Sequence, residues 1–221
     1  MKIALCVPCR DTMMTGTAFD MARLAAYDGA NRCALTGGSF LLYTAPGTLI
    51  FSQRESLAKE ALADGAEYIL WVDSDMRFPK NTLERLLAHG QKIVGVNAVT
   101  RRKPVLPTAI NFHEDKEIFE KIESRGKKGI EEVTAVGFGV VLTHKSVFEA
   151  MPQPWFDVVW GAGGLIGEDV HFCVKALDHG IKTFVDHELS LEIGHIGTHE
   201  YRWSDVEYGP KQLRQPTDND S

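Results

Sequence analysis

Short apolar runs alternate with amphipathic stretches over the first hundred residues of the chain. Four runs that are almost wholly apolar predict buried strands at residues 3–7, 40–43, 68–72 and 93–96. The stretches between them place apolar residues at the i, i+3, i+4 spacing of a helix with one buried face, and a glycine follows each stretch. This β-α-β-α-β-α-β order predicts a parallel sheet with helices on both faces.

Local signals predict where the second and third of these helices begin. The second helix is expected to open on Ser52-Gln53-Arg54-Glu55, which has the S-x-x-E form of a capping box. The third helix is expected to start near Pro79, because proline is tolerated in the first turn of a helix.

The second half of the chain has a different pattern, in which extended segments follow one another with little helix between them. Strands are predicted at residues 108–112, 133–136, 139–142, 183–185 and 189–193. A helix is predicted at residues 168–178, and the tail from residue 201 has few apolar residues. No repeat or linker divides the chain, so we expect one α/β domain whose sheet is parallel in its first half and mixed in its second.

Composition excludes several classes of protein. Of the 221 residues, 44% are apolar and 24% are charged, which is typical of a globular domain. The net charge of −6 argues against a nonspecific grip on nucleic acid phosphates. No run approaches the roughly 20 apolar residues of a membrane span, and no secretory signal opens the chain. Four cysteines do not make a disulfide scaffold, so we expect a soluble, cytoplasmic protein.

The leading chemical feature is Asp73-Ser74-Asp75, which directly follows the apolar run at residues 68–72. Ligands of open α/β sheets bind beyond the carboxyl ends of the strands, so this D-x-D sequence lies where a ligand is expected. Two carboxylates one residue apart repel each other unless a cation lies between them, and a divalent cation commonly keeps substrate phosphates as its other ligands. The alternative is that both are solvated turn residues before the next helix.

Two further features lie late in the chain. Glu168-Asp169 opens the predicted late helix after a glycine-rich approach, so a carboxylate there is a candidate general base. The alternative is that both acids only complement the helix dipole. His195 follows the last predicted strand, where an imidazole can complete a metal shell, although a lone histidine is more often structural.

Basic residues and cysteines lie near the same strand ends. Arg10 and Arg101 each follow a predicted strand on the same side of the sheet as Asp73, where they can neutralise a diphosphate or simply be solvated. Cys6 and Cys9 form a C-x-x-C pair, but Cys6 falls inside a predicted strand and not at the helix N-terminus that a redox cysteine needs.

Three elements in this order resemble a GT-A type glycosyltransferase, close to family 2 and its small bacterial and phage relatives. They are a first strand that ends in Val7-Pro8-Cys9-Arg10-Asp11, the strand and D-x-D of residues 68–75, and Glu168-Asp169. The resemblance implies a single Rossmann-like GT-A domain with a mixed, mostly parallel sheet flanked by helices. It would span residues 1–200, with a nucleotide-binding half at about 1–100, an acceptor half at about 101–200 and a C-terminal tail at 201–221.

The resemblance also implies a donor site for a nucleotide-sugar, with UDP-sugar favoured. The implied donor-binding residues are Pro8, Cys9 and Arg10 beside the base, Arg54 near the nucleotide, Asp73 and Ser74 near the ribose, and Arg101 beside the diphosphate. The implied metal ligands are Asp75, Asp73 and His195, which suit Mn²⁺ or Mg²⁺.

The implied reaction is a single displacement with inversion, in which Asp169 deprotonates the acceptor hydroxyl and Glu168 binds acceptor or sugar. The sequence leaves the acceptor open as a glycan, a protein, a small molecule or a modified nucleic acid base. Trp155, Trp160 and Trp203 could stack on a sugar or a base, although burial is the commoner reason for a tryptophan.

The chain lacks the Q-x-x-R-W signature of processive family members, which argues against polymer synthesis. Three alternatives stay open. A haloacid dehalogenase-like phosphohydrolase would also use Asp73 and Asp75, but it calls for Thr or Val where this chain has Arg77. A sugar nucleotidyltransferase would need a glycine-rich loop after the first strand. A non-catalytic module would keep only the nucleotide-sugar pocket.

Overall fold

The computed structural model describes residues 1–31, 34–37, 40–113, 118–161, 164–197 and 200–206. The strands among these residues are β1 (Ile3–Pro8), β2 (Phe40–Ala45), β3 (Tyr68–Val72), β4 (Met76–Arg77), β5 (Ile93–Val96), β6 (Ile110–His113), β7 (Ile118–Lys121), β8 (Ile130–Val133), β9 (Val140–His144), β10 (Val159–Gly161), β11 (Gly164–Ile166), β12 (Thr183–Asp186), β13 (Gly194–Ile196) and β14 (Glu200–Tyr201). The α-helices are α1 (Thr15–Ala30), α2 (Ile50–Ala63), α3 (Thr82–Ala88), α4 (Lys145–Ala150), α5 (Glu168–Asp178) and α6 (His187–Ser190), and a 3₁₀ turn covers Trp203–Asp205.

The central sheet has seven strands in the order β2-β1-β3-β9-β5-β12-β8. Strands β2, β1, β3, β5 and β12 point the same way, and β9 and β8 run against them. The predicted mixed, mostly parallel sheet is therefore confirmed. The expected parallel first half holds for β1, β2 and β3, but β9, from the second half of the chain, inserts antiparallel between β3 and β5 and pairs with both.

Helices cover both faces of this sheet, as predicted. Alternate residues of β3 point to opposite sides, so Ile69 and Trp71 join one apolar cluster and Leu70 and Val72 join the other. The first cluster also contains residues of α2, α4 and α5, and the second contains residues of α1, α3 and α6. Among the described residues, no helix is long and apolar enough to cross a bilayer.

Three local predictions are wrong in a physically informative way. Helix α2 begins at Ile50 and its N-cap makes no side-chain bond, so the capping box at Ser52 does not form. Glu55 instead accepts hydrogen bonds from the backbone N–H groups of Trp155 (2.9 Å) and Phe156 (3.2 Å), which are distant in sequence. A tertiary partner has thus replaced the local one.

Other elements also differ from their predicted type or bounds. The strand predicted at 189–193 is largely helix α6 and the turn after it, because the Asp186 carboxylate caps this short helix through the N–H of Leu189 at 2.8 Å. Helix α3 begins at Thr82, three residues after Pro79. The segment predicted at 133–136 forms strand earlier, as β8.

A small three-stranded sheet lies beside the main one, in the order β14-β13-β4. Trp203, which follows it, is buried and donates its indole N–H to the Asn97 carbonyl at 2.9 Å. Val206 is also buried, so the first six residues of the segment assigned to the C-terminal tail pack against the domain. Residues 207–221 of that tail lie outside the described residues.

An aromatic cluster lies under the first turns of α5. The Phe172 ring stacks on Phe156 with centroids 4.6 Å apart, and it contacts Phe138 at 5.1 Å and Phe148 at 5.6 Å. Trp71 of β3 meets Phe156 at 5.4 Å. The helix that carries Glu168 and Asp169 is therefore anchored to the central strand through packed rings.

We expect Phe172→Ala to lower the free energy of unfolding by about 3–5 kcal/mol, because it removes a fully buried ring and leaves a cavity. Val174→Ala on the same helix is the matched control, and it should cost less than about 0.5 kcal/mol because Val174 is exposed. Urea unfolding measures both values. Equal losses for the two variants would contradict this anchoring.

Candidate active site

The backbone of Asp73-Ser74-Asp75 is fixed by hydrogen bonds to three neighbouring segments. The Asp73 N–H donates to the Gly139 carbonyl at 2.9 Å, which ties the start of the motif to the strand β9. The Ser74 carbonyl accepts from the Met14 N–H at 2.9 Å, and the Asp75 carbonyl accepts from the Ile196 N–H at 2.7 Å. The motif therefore leaves β3 in a single, well-defined direction.

Pairing of β4 with β13 brings His195 to this motif. In that register His195 lies opposite Met76, the residue after Asp75. The imidazole Nε2 of His195 consequently lies 3.3 Å from Asp75 Oδ1. A Cβ at Gly194 would displace the Glu200 carboxylate, so the glycine leaves room for that side chain beside β13.

The second ring nitrogen of His195 fixes the orientation of the imidazole. His195 Nδ1 lies 2.8 Å from the Val99 carbonyl, which can only accept, so Nδ1 carries the proton. Nε2 is then the nitrogen that faces Asp75. Burial lowers the pKa of His195, but its bonds to Asp75 and to the Val99 carbonyl outweigh burial, and the net shift is upward.

The other oxygen of Asp75 is held by Arg101. Arg101 Nη1 lies 2.5 Å from Asp75 Oδ2, while the Arg101 side chain stays exposed to solvent. Burial alone would raise the pKa of Asp75, but His195 and Arg101 reverse this and lower it. Asp75 is thus an ionised carboxylate held between the His195 imidazole and the Arg101 guanidinium.

Arg54, which was predicted to lie near the nucleotide, pairs with two carboxylates of the protein. Its side chain is only 3% exposed, and its Nη2 donates to Asp73 Oδ1 at 2.8 Å while its Nε donates to Glu168 Oε1 at 3.2 Å. The guanidinium also lies over the ring of Phe138, 5.2 Å from the centroid. Arg54 therefore joins the D-x-D motif to the start of α5.

The carboxyl groups of Asp73 and Asp169 both bind protons more tightly than usual. Burial raises the pKa of Asp73, and the opposing charge of Arg54 does not fully offset it. Burial also raises the pKa of Asp169, and the neighbouring charge of Glu168 adds to it. Asp169 Oδ1 accepts the N–H of Val170 at 2.8 Å.

A cleft of about 380 Å³ opens beside these groups, at the carboxyl ends of β1 and β3. Eight of the residues predicted for donor or metal binding line it: Pro8, Cys9, Arg10, Asp73, Ser74, Asp75, Arg101 and His195. Arg54, Glu168 and Asp169 do not line this cleft. Arg54 pairs with Asp73 of the cleft and with Glu168, the neighbour of Asp169. A second hollow of about 260 Å³ lies between α2 and α4 and is lined mainly by apolar side chains.

Gln53 is a residue of this cleft that sequence reasoning missed. Its side-chain amide donates to the carbonyls of Cys9 (3.1 Å), Ala45 (2.7 Å) and Gly47 (3.1 Å), so it ties the ends of β1 and β2 together. The capping-box interpretation drew attention to its neighbours instead. A buried amide on the inner face of α2 was the available signal.

Asp20 is a second missed residue, and it anchors the strand β4 to the helix α1. Its buried carboxylate accepts from Arg77 Nε at 2.6 Å and from the Phe78 N–H at 3.1 Å. Gly16 leaves the room that the Arg77 side chain needs, since a Cβ there would lie 2.7 Å from Arg77 Cδ. The signal was a carboxylate on the same helical face as Met21 and Leu24.

The donor atoms near Asp75 suit a divalent cation that arrives with a substrate. Among the described residues, no group of three or more His, Cys, Asp or Glu side chains is arranged to hold a metal ion. Asp75 and His195 nevertheless face each other, and Arg101 supplies a positive charge to the remaining Asp75 oxygen. One carboxylate and one imidazole fit Mn²⁺ or Mg²⁺ when phosphate oxygens and water supply the other ligands.

The C-x-x-C pair of Cys6 and Cys9 does not have the geometry of a redox site. Cys6 lies within β1, and burial raises the pKa of its thiol, which is the opposite of what a reactive cysteine needs. Cys9 lies at the cleft and shares no disulfide with Cys6. His199, four residues after His195, lies outside the described residues.

Comparison with known proteins defines the fold class. No family model matches the chain, and no curated protein matches its sequence. Solved structures do match most of its length, and A197 from STIV aligns with a TM-score of 0.54 at 16% identity, over 89% of this chain and 86% of that one.

Two further similar structures are glycosyltransferases by name. GalNAc-T7 with UDP, GalNAc and Mn²⁺ gives a TM-score of 0.58 at 10% identity, over 91% of this chain but only 44% of that one. The catalytic domain of Drosophila β1,4-galactosyltransferase 7 in complex with xylobiose gives 0.51 at 17% identity, over 89% and 71%. The chain therefore has a GT-A-like fold, which confirms the fold expected from the resemblance.

We expect Arg54→Met to lower the free energy of unfolding by about 3 kcal/mol at pH 7, because it leaves the Asp73 and Glu168 carboxylates without their buried cation. Without Arg54 the pKa of Asp73 rises further, so the deficit should be smaller at pH 4, where Asp73 of the variant holds a proton.

Urea unfolding at both pH values measures this effect, and Arg102→Met is the control because Arg102 is an exposed arginine beside Arg101. A deficit that is the same at pH 4 and pH 7 would show that Arg54 stabilises the fold by packing alone.

Proposed function

We propose that this chain is a metal-dependent glycosyltransferase that moves a sugar from a nucleotide-sugar donor to an acceptor hydroxyl with inversion. The observation that carries this proposal is the meeting of Asp75 and His195, 3.3 Å apart, beside a cleft whose rim holds Arg10 and Arg101. The GT-A-like fold supports the reaction class, and the donor favoured here is a UDP-sugar.

The cleft has separate parts for a base and for phosphates. A flat base can lie against the apolar contacts offered by Pro8 and Cys9 at the end of β1 and by Ile50 at the start of α2. Arg10 and Arg101 provide two cations against the two phosphates, and both are exposed enough to turn toward a ligand.

The cation of this proposal would be held by Asp75 and His195, with the diphosphate supplying further oxygens. When bound, it would neutralise the charge that develops on the leaving diphosphate. Arg101 contacts Oδ2 of Asp75, the oxygen that does not face His195. A cation that takes both Asp75 oxygens would displace Arg101, and the diphosphate is the natural new partner for its guanidinium.

Asp169 acts as the general base in this proposal. Its raised pKa makes it a stronger base than a solvated carboxylate, as catalysis at neutral pH requires. The acceptor oxygen attacks the anomeric carbon as its proton passes to Asp169. The bond from that carbon to the phosphate oxygen breaks, and its electron pair leaves with the diphosphate. Glu168 stays paired with Arg54 and holds the first turn of α5 in position.

We expect Asp169→Asn to reduce the transfer rate at least a hundredfold, because the amide cannot accept the acceptor proton. Binding of UDP with Mn²⁺ should stay unchanged. Asp178→Asn, an exposed change at the other end of α5, should leave both properties unaltered. Radiolabelled sugar transfer and isothermal titration measure them. Full turnover by Asp169→Asn would remove Asp169 from the mechanism, whereas a wild type that binds UDP with Mn²⁺ but transfers no sugar would support the binding-module alternative.

Asp169→Asn should also increase the free energy of unfolding at neutral pH. Because the folded pKa of Asp169 is raised, the folded state holds its proton at pH values where the unfolded chain has lost it. Stability is therefore lost as pH rises through the folded pKa. The amide introduced by Asp169→Asn does not titrate, so we expect the variant to exceed the wild type at pH 7 and to match it below pH 4 in urea unfolding. A variant that is no more stable than the wild type at pH 7 would contradict the raised pKa.

We expect UDP to raise the melting temperature only when Mn²⁺ or Mg²⁺ is present, because the cation links the diphosphate to Asp75. Asp75→Asn should abolish this shift. Arg101→Ala should tighten binding of Mn²⁺ alone, since it removes the group that competes for Asp75. Thermal shift with nucleotides and titration with Mn²⁺ test these effects, and a shift by UDP that persists in a chelator would contradict a metal-linked donor site.

A further inference from the structure

Trp160 differs from the other tryptophans of the chain. Trp71, Trp155 and Trp203 are 0%, 7% and 3% exposed, and each donates its indole N–H to an oxygen of the protein. Trp160 is 82% exposed. A large aromatic surface in contact with water is costly, and exposed aromatic side chains commonly mark binding surfaces.

Trp160 lies on a hairpin of its own. The strands β10 and β11 form a separate two-stranded sheet in which Trp160 pairs with Leu165, a residue that is 62% exposed. Paired residues of an antiparallel ladder share one face, so the two side chains form a continuous apolar surface, which we term the Trp160–Leu165 platform. Gly161 and Gly164 adjoin it and carry no side chain that could cover it.

This platform lies directly before the proposed general base. β11 ends at Ile166, Gly167 is the N-cap of α5, and Asp169 belongs to the first helical turn. Leu165 and Asp169 are four positions apart in the chain, so their Cα atoms are at most about 14 Å apart. A molecule that rests on the platform is therefore within the length of a few sugar units of Asp169.

Charge narrows the chemistry of the molecule that fits this platform. Residues 157–169 contain Asp157, Glu168 and Asp169 but no Lys or Arg. A phosphate-rich or carboxylate-rich acceptor would be repelled there, and nucleic acid would find no basic contact. A pyranose ring is uncharged and has a face of C–H groups that matches the face of an indole.

We propose that the Trp160–Leu165 platform binds a neutral pyranoside as the acceptor, and that it does so without donor or metal. The naming of this ligand as the acceptor rests on the proposed glycosyl transfer. Donor-independent binding follows from the exposure of both side chains, which need no rearrangement to receive a ring. The acceptor class is then a neutral glycan or glycoside.

The difference in exposure between Trp160 and the other three tryptophans allows binding to be followed by fluorescence quenching. All four tryptophans of the chain are in the described residues, and Trp160 alone among them is open to solvent, so acrylamide quenching of tryptophan fluorescence reports mainly on Trp160. The probes are methyl β-D-glucopyranoside, methyl β-D-galactopyranoside and cellobiose, with the full chain in a chelator and without nucleotide. Methyl β-D-glucuronide is the matched anionic probe, since it differs from the glucoside only by its carboxylate.

We expect the neutral probes to lower the quenching constant and the glucuronide to have a weaker effect. Saturation-transfer NMR on the same ligands should show roughly tenfold weaker binding to Trp160→Ala, with partial recovery in Trp160→Phe. Both changes are at an exposed site, so the fold should be kept, and urea unfolding checks this. Asp178→Asn, an exposed change at the far end of α5, should bind the pyranosides as the wild type does.

Three outcomes would overturn the proposal. The first is unchanged quenching with every neutral probe, and the second is unchanged binding by Trp160→Ala. The third is shielding of Trp160 that grows with protein concentration and accompanies a dimer in sedimentation, which would make a second copy the occupant. Pyranoside binding in a chain that binds no UDP with Mn²⁺ would support the platform as a carbohydrate site while contradicting glycosyl transfer.

Discussion

The guanidinium of Arg54 joins the two acidic parts of this molecule. A buried arginine is tolerated only when its charge and its N–H groups are satisfied, and here Asp73, Glu168 and the Phe138 carbonyl provide the partners. The same contacts fix the distance between the end of β3 and the start of α5. The donor side and the base side of the proposed site are thus positioned by one cation, and each carboxylate is kept in place by the charge opposite it.

Electrostatics within the site divide the carboxylates into two kinds. Asp75 faces His195 and Arg101, which keep it ionised. Asp73 and Asp169 have less compensation from neighbouring charges, and burial raises the pKa of both. Environments that separate the pKa values of neighbouring acids give one group the role of ligand and another the role of base. In this chain the separation follows from which strand or helix end carries each acid.

The sequence predicted the parts of the fold that local pattern controls. The apolar runs gave β1, β3 and β5 within a residue or so, and the spacing of apolar residues gave α5 with its true bounds. Local pattern does not contain the position of β9 between β3 and β5, because that pairing joins residues far apart in sequence. For the same reason local pattern does not show that Arg54 pairs with Glu168, which is 114 positions away. The strand predicted at residues 189–193 is wrong because alternation of apolar and polar residues over so few positions does not distinguish a strand from a capped helical turn.

The small sheet of β4, β13 and β14 has a consequence for the order in which the molecule becomes complete. Asp75 is synthesised early, yet the imidazole that faces it is delivered by β13, after every strand of the central sheet. A nascent chain that has reached α6 holds its D-x-D motif with one flank open to water. The contact between His195 and Asp75 can therefore form only after all seven strands of the central sheet have been synthesised.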